Sequence, residues 1–231
     1  MSSNNVNLFL NRPINILTAF GVWLPPKNHV ILHKIYMLII MMTQYNFVLF
    51  EFIYIANVWG DLDEVSEASY LLFTQASVCY KSTAFLINKN NLIELLNFMG
   101  NKLFEPQSII HERFLYMQSR TIKRLCLFFL TSATTTCTLW ACIPLFDNVG
   151  KRFFPFKIWM PVGPEKSPQF ELGYVYQMVS IYISAFLFIG IDSVSLSMIM
   201  FGCAELDIIV DKLKKVNEIA STDNDQNQNP I

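Results

Sequence analysis

Long runs of apolar residues dominate the chain and are separated by shorter stretches that hold most of its charges. A helix needs about 20 apolar residues to cross the hydrocarbon core of a bilayer. Four runs reach that length, at residues 35–59, 68–87, 125–146 and 174–203. The pattern therefore predicts an all-α, polytopic membrane protein in which four transmembrane helices form a bundle.

Polar segments flank and interrupt this predicted bundle, which occupies residues 35–203. Residues 1–34 are a cytosolic N-terminal segment, and residues 204–231 are a cytosolic helix followed by a disordered tail, STDNDQNQNPI. Between the second and third runs, leucines recur at helical spacing before Pro106, and Ser108 is a candidate N-cap. We expect spans two and three to continue into the cytosol as long helices; an amphipathic helix on the membrane surface is the alternative.

The distribution of Lys and Arg predicts the orientation. The N-terminal segment, the loop between spans two and three and the tail together hold twelve of these residues, whereas the two remaining loops hold four. By the positive-inside rule, both ends of the chain are cytosolic. This distribution disfavours a G-protein-coupled receptor of ordinary topology, whose N-terminus lies outside. The N-terminus also lacks the pattern of a secretory signal peptide, so we expect an internal span to direct insertion.

The composition fits a membrane protein and narrows the classes of function. Hydrophobic residues make up 53% of the 231 residues and charged residues 15%, against about a quarter charged in soluble domains. The net charge of -1 indicates no nucleic-acid partner. The five cysteines lie mostly in apolar runs without CxxC or Cys/His spacing, which predicts packing residues and no metal or cofactor. No GxSxG, HExxH or phosphate-binding glycine loop occurs in the sequence, so we predict that the protein is not an enzyme.

Three ionisable residues fall inside the predicted spans, where burying a charge is costly and marks a functional candidate. They are Glu51, Lys81 and Asp192. Glu51 could reach the interface or a water-filled cleft. Lys81 and Asp192 fall in the inner halves of antiparallel spans, so they could pair as a structural clamp or as part of an ion path. Alternatively, the Lys81 stem could extend its ammonium toward the headgroups.

The outer halves of spans two, three and four differ chemically from the inner halves, because they mix aromatic, thioether and hydroxyl groups. Such walls suit a small apolar ligand that carries one polar group. The candidate ligand-binding residues are Tyr70, Phe73, Thr74, Thr134, Thr138, Trp140, Tyr176, Met178 and Tyr182, with Gln75 beside them. Anchoring in an interfacial aromatic belt is the alternative for Trp140, Tyr174 and Tyr176.

The connection between spans three and four is unusual for a loop. Its sequence at 152–174, RFFPFKIWMPVGPEKSPQFELGY, holds four prolines and six aromatic residues. Prolines resist helix and sheet interiors, whereas aromatic residues at this density favour burial. We therefore predict an ordered loop that caps the ligand-binding region.

Several of these segments resemble the insect odorant receptor family. AFGVWLPP at 19–26 resembles the GxWP segment before the first span of that family, and the proline- and aromatic-rich loop resembles its second extracellular loop. Asp192, followed by Ser193, Ser195 and Ser197, matches the acidic position of the family's fourth span, and AELDIIVDKLKKV resembles the helix that follows. These motifs occur in the family's order over most of the chain.

The resemblance implies the N-terminal part of a seven-span subunit of an odour-gated, nonselective cation channel in the plasma membrane of olfactory sensory neurons. Its implied partners are a small volatile odorant, membrane lipid and a shared co-receptor, with which family members form tetramers. The sequence holds only the first four spans, so the chain is a partial record or a truncated product and lacks the pore-lining seventh span. The alternatives are an insect gustatory receptor or a four-span structural or accessory membrane protein without a ligand.

Overall fold

The computed structural model describes residues 4–24, 29–146, 154–161, 163 and 167–227. The described residues are almost entirely helical and contain no strand. Their helices are α1 (Asn4–Ala19), α2 (Val30–Asn57), α3 (Leu62–Ile87), α4 (Lys89–Met99), α5 (Ile109–Phe146) and α6 (Gln169–Asn227), with a 3-10 turn at Lys102–Phe104. The predicted all-α class is confirmed.

Three of the described helical segments are long and apolar enough to cross a membrane: Val30–Asn57, Ile109–Cys142 and Gln169–Glu218. The second predicted span is not among them. Its helix α3 has 26 residues, which suffices for a crossing, but it carries Asp63, Glu64, Glu67 and Lys81. Three of these four side chains have ion-pair partners on other elements: Glu64 and Glu67 pair with Lys157, and Lys81 pairs with Asp192.

The N-terminal segment holds a helix that the sequence analysis did not predict. Val6, Phe9, Leu10 and Leu17 lie on one face of α1 and are buried, at the spacing of an amphipathic helix. This face packs against α5 and α6, and the Phe9 ring meets the edge of Phe201 with centroids 5.6 Å apart. The buried face of α1 is therefore part of the core.

The segment AFGVW ends α1 with a Schellman motif. Val22 N–H donates to the carbonyl of Leu17 at 2.9 Å, and Gly21 N–H donates to the carbonyl of Thr18 at 3.1 Å. Gly21 has a φ of 74°, a conformation that glycine adopts without strain. A Cβ there would also lie 2.9 Å from the Tyr36 ring. The glycine in this stretch is thus required both by the turn and by the close approach of α2.

Of the two predicted extensions of spans two and three into the cytosol, the structure shows only that of span three. The prediction is wrong for α3, which ends at Ile87 before the separate helix α4 begins at Lys89. It is confirmed for α5, which runs without a break from Ile109 to Phe146. Ser108 caps α5 as predicted, since its Oγ accepts a hydrogen bond from His111 N–H at 3.3 Å.

Helix α6 is the common packing partner of the bundle. It contacts α1, α2, α3 and α5, and its 59 residues correspond to a length of about 88 Å. That length is nearly three times the roughly 30 Å hydrocarbon core, so α6 extends well beyond a membrane. The helix continues to Asn227, where the composition had predicted a disordered tail from Ser221; residues 228–231 lie outside the described residues.

Two clusters of buried apolar residues lie at opposite ends of the bundle. The larger joins α1, α5 and α6 around Leu17, Ile122 and Leu187. The smaller joins α2, α3, α6 and the α5–α6 connection around Phe47, Phe156 and Met178. We call the end with the smaller cluster the outer end, because it holds the connections predicted to lie outside the cell.

Replacing Phe9 with alanine tests the role of α1 in the core. The side chain is 1% exposed, so Phe9→Ala should cost about 3–5 kcal/mol of stability. Phe52→Ala is the matched control, because Phe52 on α2 is 61% exposed. Melting of the detergent-solubilised protein should occur several degrees lower for Phe9→Ala than for Phe52→Ala, and equal melting temperatures would contradict the assignment.

Candidate functional site

A cavity of about 260 Å³ lies between α3, α5 and α6 near the outer end. A cavity of this size suits a small organic molecule. Its walls are predominantly apolar, as in most ligand sites. The lining residues are Tyr70, Leu71, Thr74, Gln75, Val78, Ala133, Thr136, Cys137, Trp140, Phe156, Ile181, Ser184, Ala185, Phe188 and Ile189.

Helical spacing places these side chains on facing surfaces. On α5, residues 133, 136, 137 and 140 follow the i, i+3, i+4, i+7 pattern of one helix face. Ala133 and Cys137 on α5, and Ala185 on α6, are small, so they leave room between the helices. Larger residues at the ends of the cavity, Trp140 and Phe188, bound that room.

A buried polar network crosses the bundle beside the cavity. Gln44 of α2 donates from Nε2 to the Ser180 carbonyl at 3.1 Å. The Ser184 hydroxyl of α6 bonds to Gln44 Oε1 and lies 2.6 Å from the Gln75 amide of α3. Both glutamines and Ser184 are buried. The network therefore joins α2, α3 and α6 by hydrogen bonds in a region where an unpaired polar group would be costly.

Three of the nine sequence-predicted ligand-binding residues line this cavity: Tyr70, Thr74 and Trp140. Gln75, noted with them, also lines it. The predicted residues were chosen by side-chain type, mainly aromatic and hydroxyl. Apolar and small lining residues such as Val78, Cys137 and Ala185 have no such distinguishing chemistry and were missed. Counting back from Trp140 along one face of its helix would have found Ala133, Thr136 and Cys137.

The other six predicted residues lie around this cavity without lining it. Thr138 and Tyr182 bond to each other across α5 and α6 through their hydroxyls, 2.8 Å apart. Tyr176 packs between the rings of Phe47 and Phe50. The remaining three are Met178, buried in the outer cluster, Phe73, which is exposed, and Thr134, whose hydroxyl donates to the Leu130 carbonyl. Their contact with a ligand stays a prediction.

The described part of the α5–α6 connection closes the outer side of the cavity. Phe156 lines the cavity, stacks on Trp140 with ring centroids 5.5 Å apart and donates its N–H to Gln177 Oε1 at 3.0 Å. Trp159 donates its N–H to the Phe50 carbonyl at 3.3 Å. These contacts agree with an ordered, aromatic loop over the site. Residues 147–153, 162 and 164–166 of the same connection lie outside the described residues.

An ion-pair cluster holds this loop to the start of α3. Lys157 Nζ lies 3.0 Å from Glu64 Oε1 and 2.6 Å from Glu67 Oε2, and Tyr54 donates its hydroxyl to Glu64 at 2.8 Å. Hydrogen bonds to Glu67 and Glu64 raise the pKa of Lys157 above its ordinary value. The bond from Lys157, aided by Tyr54, lowers the pKa of Glu64. Lys157 follows Phe156 directly, so the cluster fixes the part of the loop that forms the cavity wall.

The structure brings Lys81 and Asp192 together. Lys81 Nζ lies 2.8 and 2.9 Å from the two carboxylate oxygens of Asp192, and it also lies 3.8 Å from the centroid of the Phe188 ring. Phe188 lines the cavity, so the ion pair adjoins the inner end of the site. A second cavity of about 320 Å³ borders Asp192 and Phe188 on the side facing α5.

Glu51 occupies a different environment from that pair. It is 1% exposed, and within the described residues neither carboxyl oxygen has a hydrogen-bond partner. Tyr70, Cys79 and Tyr176 are close enough to this carboxyl group to interact with it electrostatically. Glu51 is therefore buried within the protein and does not reach an interface or an open cleft, although the sequence had led us to expect that it would.

Comparison with known proteins identifies the family. A sequence model described as 7tm Odorant receptor matches residues 61–229, which is well over half of the chain. The chain belongs to the odorant receptor family. The predicted family and the predicted multi-pass helical membrane architecture are thereby confirmed.

Curated relatives of this odorant receptor chain come from insects. Odorant receptor 46a, isoform A, of Drosophila melanogaster is 27% identical over 180 residues, 75% of this chain and 46% of the relative. Odorant receptor Or1 of Anopheles gambiae is 28% identical over 128 residues, 54% of this chain and 30% of the relative. The chain thus spans less than half the length of these relatives.

Solved structures support the same fold. The insect olfactory receptor OR5 from Machilis hrabei matches with a TM-score of 0.68 at 15% identity, over 89% of this chain and 57% of that chain. The same receptor in complex with eugenol matches with a TM-score of 0.59 at 18% identity, over 92% of this chain and 57% of that chain. At such identities the likeness establishes the fold alone.

Removing the Lys157 charge should loosen the outer loop. The pH dependence of loop docking follows from the two pKa shifts. Because the pKa of Glu64 is lowered, the stability that its carboxylate gives to the docked loop is present above its unfolded pKa and is lost as pH falls through the lower folded value. Because the pKa of Lys157 is raised, the stability that its ammonium gives to the docked loop is present below its unfolded pKa and is lost as pH rises through the higher folded value. Loop docking should therefore be constant from pH 6 to 9.

Hydrogen exchange of the loop amides checks this expectation. Lys157→Ala should speed exchange at Ile158 and Trp159, whereas Lys102→Ala, an exposed lysine elsewhere, should not. High salt should partly reproduce the effect of Lys157→Ala, since exposed ion pairs are screened. Protection that is unchanged in Lys157→Ala would show that backbone and aromatic contacts alone hold the loop.

Breaking the Lys81–Asp192 pair should harm assembly more than ligand preference. The two side chains are 34% and 47% exposed from the bundle but fall within predicted spans. Asp192→Asn leaves the Lys81 ammonium without its carboxylate at that depth, where an unpaired charge is costly. We expect low surface expression for Asp192→Asn and for Lys81→Met, and partial recovery for the Lys81→Met, Asp192→Leu double variant. Normal surface expression of Asp192→Asn with altered odour selectivity would refute this role.

Proposed function

We propose that this chain is the odour-binding part of a subunit of a ligand-gated, nonselective cation channel. The observation that carries the proposal is the apolar cavity between α3, α5 and α6 in a chain of the odorant receptor family. The subunit acts in olfactory signal transduction with a co-receptor, as part of a hetero-oligomer. Its location is the plasma membrane of olfactory sensory neurons.

The form and chemistry of the cavity support a small odorant as the ligand. The walls are apolar apart from a few hydroxyl and amide groups, which would orient one polar group of the ligand. The Machilis hrabei receptor of the same fold is recorded in complex with eugenol, a small aromatic molecule. A ligand held between Trp140 and Phe188 would contact three helices at once.

The loop provides a route by which ligand binding could bias the conformation. Phe156 contacts α5 through Trp140 and α6 through Gln177, while its neighbour Lys157 binds α3. A ligand that displaces Phe156 therefore alters contacts of all three helices. Binding would favour the open channel only to the extent that the ligand binds that state more tightly.

Substitution of Trp140 tests the proposed site. Trp140→Ala removes one cavity wall and the stacking partner of Phe156, so ligand sensitivity should change by about tenfold or more, as expected for the loss of a buried aromatic contact. Trp59→Ala is the matched control, because Trp59 is 79% exposed and lies away from the cavity. The measurement is the odour-evoked current of the receptor co-expressed with the co-receptor.

The outcomes separate the candidate functions. Dose-response curves that Trp140→Ala leaves unchanged across a broad odour panel would exclude this cavity as the binding site. A structural or accessory role without a ligand is favoured if the receptor reaches the cell surface normally but no odour evokes a current. That absence must hold for the receptor alone, for the co-receptor alone and for the two expressed together.

A further inference from the structure

Two cavities lie next to each other along the interface of α5 and α6. The outer cavity is the candidate ligand site of about 260 Å³, and the inner cavity, of about 320 Å³, borders Asp192. Both cavities are lined by Ala133, Phe188 and Ile189. Because the two cavities share these walls, the side chains of the shared residues are what separates them.

The lining residues form one continuous stripe on each of the two helices. Steps of three and four residues keep side chains on a single helix face, and both stripes follow such steps through the outer and then the inner cavity. On α6 the stripe rises by about 22 Å along the helix axis. It comprises residues 181, 184, 185, 188, 189, 192, 193 and 196 of α6, and residues 129, 132, 133, 136, 137 and 140 of α5.

The two stripes run in opposite directions and face each other along their whole length. At the outer end, the hydroxyls of Thr138 and Tyr182 bond across α5 and α6. At the inner end, Phe129 of α5 and Asp192 of α6 line the same cavity. The two cavities are therefore successive sections of one groove between antiparallel helices.

Phe188 is the side chain that divides this groove. Ala133 carries a single methyl group and leaves room on the α5 side, whereas the Phe188 ring borders both sections. Lys81 Nζ lies 3.8 Å from the centroid of this ring, a cation–π contact, and is itself bound to both carboxylate oxygens of Asp192. Phe188 also packs against the larger buried cluster. These contacts favour the observed position of the ring over one that opens the passage.

The inner section has walls that suit an apolar chain. Beyond the ring it is lined by Phe129 of α5 and Leu196 of α6, with two serines and Asp192 as its polar members. The carboxylate of Asp192 is already paired with Lys81, so the one charged group of the described lining has its partner within the protein. An alkyl chain that passed the ring would meet mostly apolar surface there.

We propose that the two cavities are sections of one binding groove and that the Phe188 ring is the partition that limits the chain length of the ligand. With the ring in place, a ligand fills the outer section, and a longer chain meets the ring. The ligand class is therefore compact odorants and straight-chain odorants that end at Phe188. The inference rests on the proposed function, since it specifies the ligand class of the same cavity.

Homologous series on the unmodified receptor provide the first test. The receptor is co-expressed with its co-receptor, and currents are recorded for 2-ketones from 2-pentanone to 2-dodecanone and for acetate esters from propyl to decyl acetate. Each methylene buried in the outer section should raise the sensitivity by about fourfold. Sensitivity should then fall once the chain reaches Phe188. A sensitivity that keeps rising through the longest members of both series would refute the partition.

Opening the partition should move this length limit. Phe188→Ala removes the ring and joins the two sections, so the longest effective chain should grow by about three carbons. Phe188→Leu keeps an apolar side chain of intermediate size, so it should give a smaller increase with less risk to folding. Phe186→Ala is the matched control, because Phe186 is a half-buried phenylalanine of the same helix whose ring stacks on Phe20 and lines neither cavity; its length limit should equal that of the unmodified receptor.

A second substitution locates the added carbons. In the Phe188→Ala background, Leu196→Trp fills the inner section, so the length limit should return toward that of the unmodified receptor. Ile199→Trp in the same background is the matched control, because Ile199 is 62% exposed on α6 and does not line the inner section. The longer limit should persist in that variant.

The results that overturn the inference differ from those that overturn the proposed function. An unchanged limit in both Phe188 variants at normal surface expression refutes the partition while odour binding stands. A longer limit that Leu196→Trp does not shorten also refutes it, because the added carbons then lie elsewhere. Responses to other odours but to neither series refute it as well, since an apolar groove must accept a simple alkyl chain. Failure of both series and of a broad odour panel removes the proposed function and this inference together.

Discussion

Polar groups in the hydrocarbon core of a membrane must find partners within the protein, and this requirement explains much of the structure. Thr74, Thr134, Thr135 and Thr136 each return a hydroxyl proton to a carbonyl one turn earlier. Other side chains bond across helices, as in the Gln44–Ser184–Gln75 network and the Lys81–Asp192 pair. Glu51 is an exception among the described residues, because its buried carboxyl oxygens have no hydrogen-bond partner. These bonds set which helices are neighbours, because each donor needs its acceptor on a particular facing helix.

The same requirement gives the cavity its polarity. Where a serine or threonine donates its hydroxyl proton to a carbonyl of its own helix, its oxygen keeps only lone pairs for other partners. Where two helices share a hydroxyl, as α2 and α3 share that of Ser184 on α6, one polar group holds the amides of both helices. The chemistry available to a ligand is therefore a consequence of how the helices satisfy one another.

The sequence predicted the features that depend on composition and charge, and it failed where tertiary packing decides. Helical spans and the possible Lys81–Asp192 contact follow from run lengths and from depth in antiparallel helices. Helix α1 was missed because its apolar face, with Phe9 and Leu17, is spread over a short polar segment and becomes significant only against α6. Span two was predicted to continue, but α3 ends at Ile87 and α4 starts at Lys89, although the apolar spacing persists beyond the break.

The candidate site shows the same division. Tyr70, Thr74 and Trp140 were found because their types suit ligand binding at the outer end. Thr138 and Tyr182, of equally suitable types, bond to each other across α5 and α6. Which hydroxyl faces a cavity and which faces a neighbouring helix depends on the rotation of each helix about its axis. An apolar run without a strong amphipathic pattern does not specify that rotation.

The outer loop is the place where these local arrangements meet. Within the loop, Trp159 bonds to α2 and Lys157 pairs with α3. Phe156 stacks on Trp140 of α5 and donates its N–H to Gln177 of α6. Each contact alone is weak, and the Lys157 pairs are exposed to solvent and screened by salt. Because all four contacts converge on residues 156–159, displacement of the Phe156 ring cannot be absorbed by one helix alone. A ligand that displaced this ring would therefore alter the relative positions of the outer helix ends, whereas a ligand that left Phe156 in place would act on the walls of α3, α5 and α6 only.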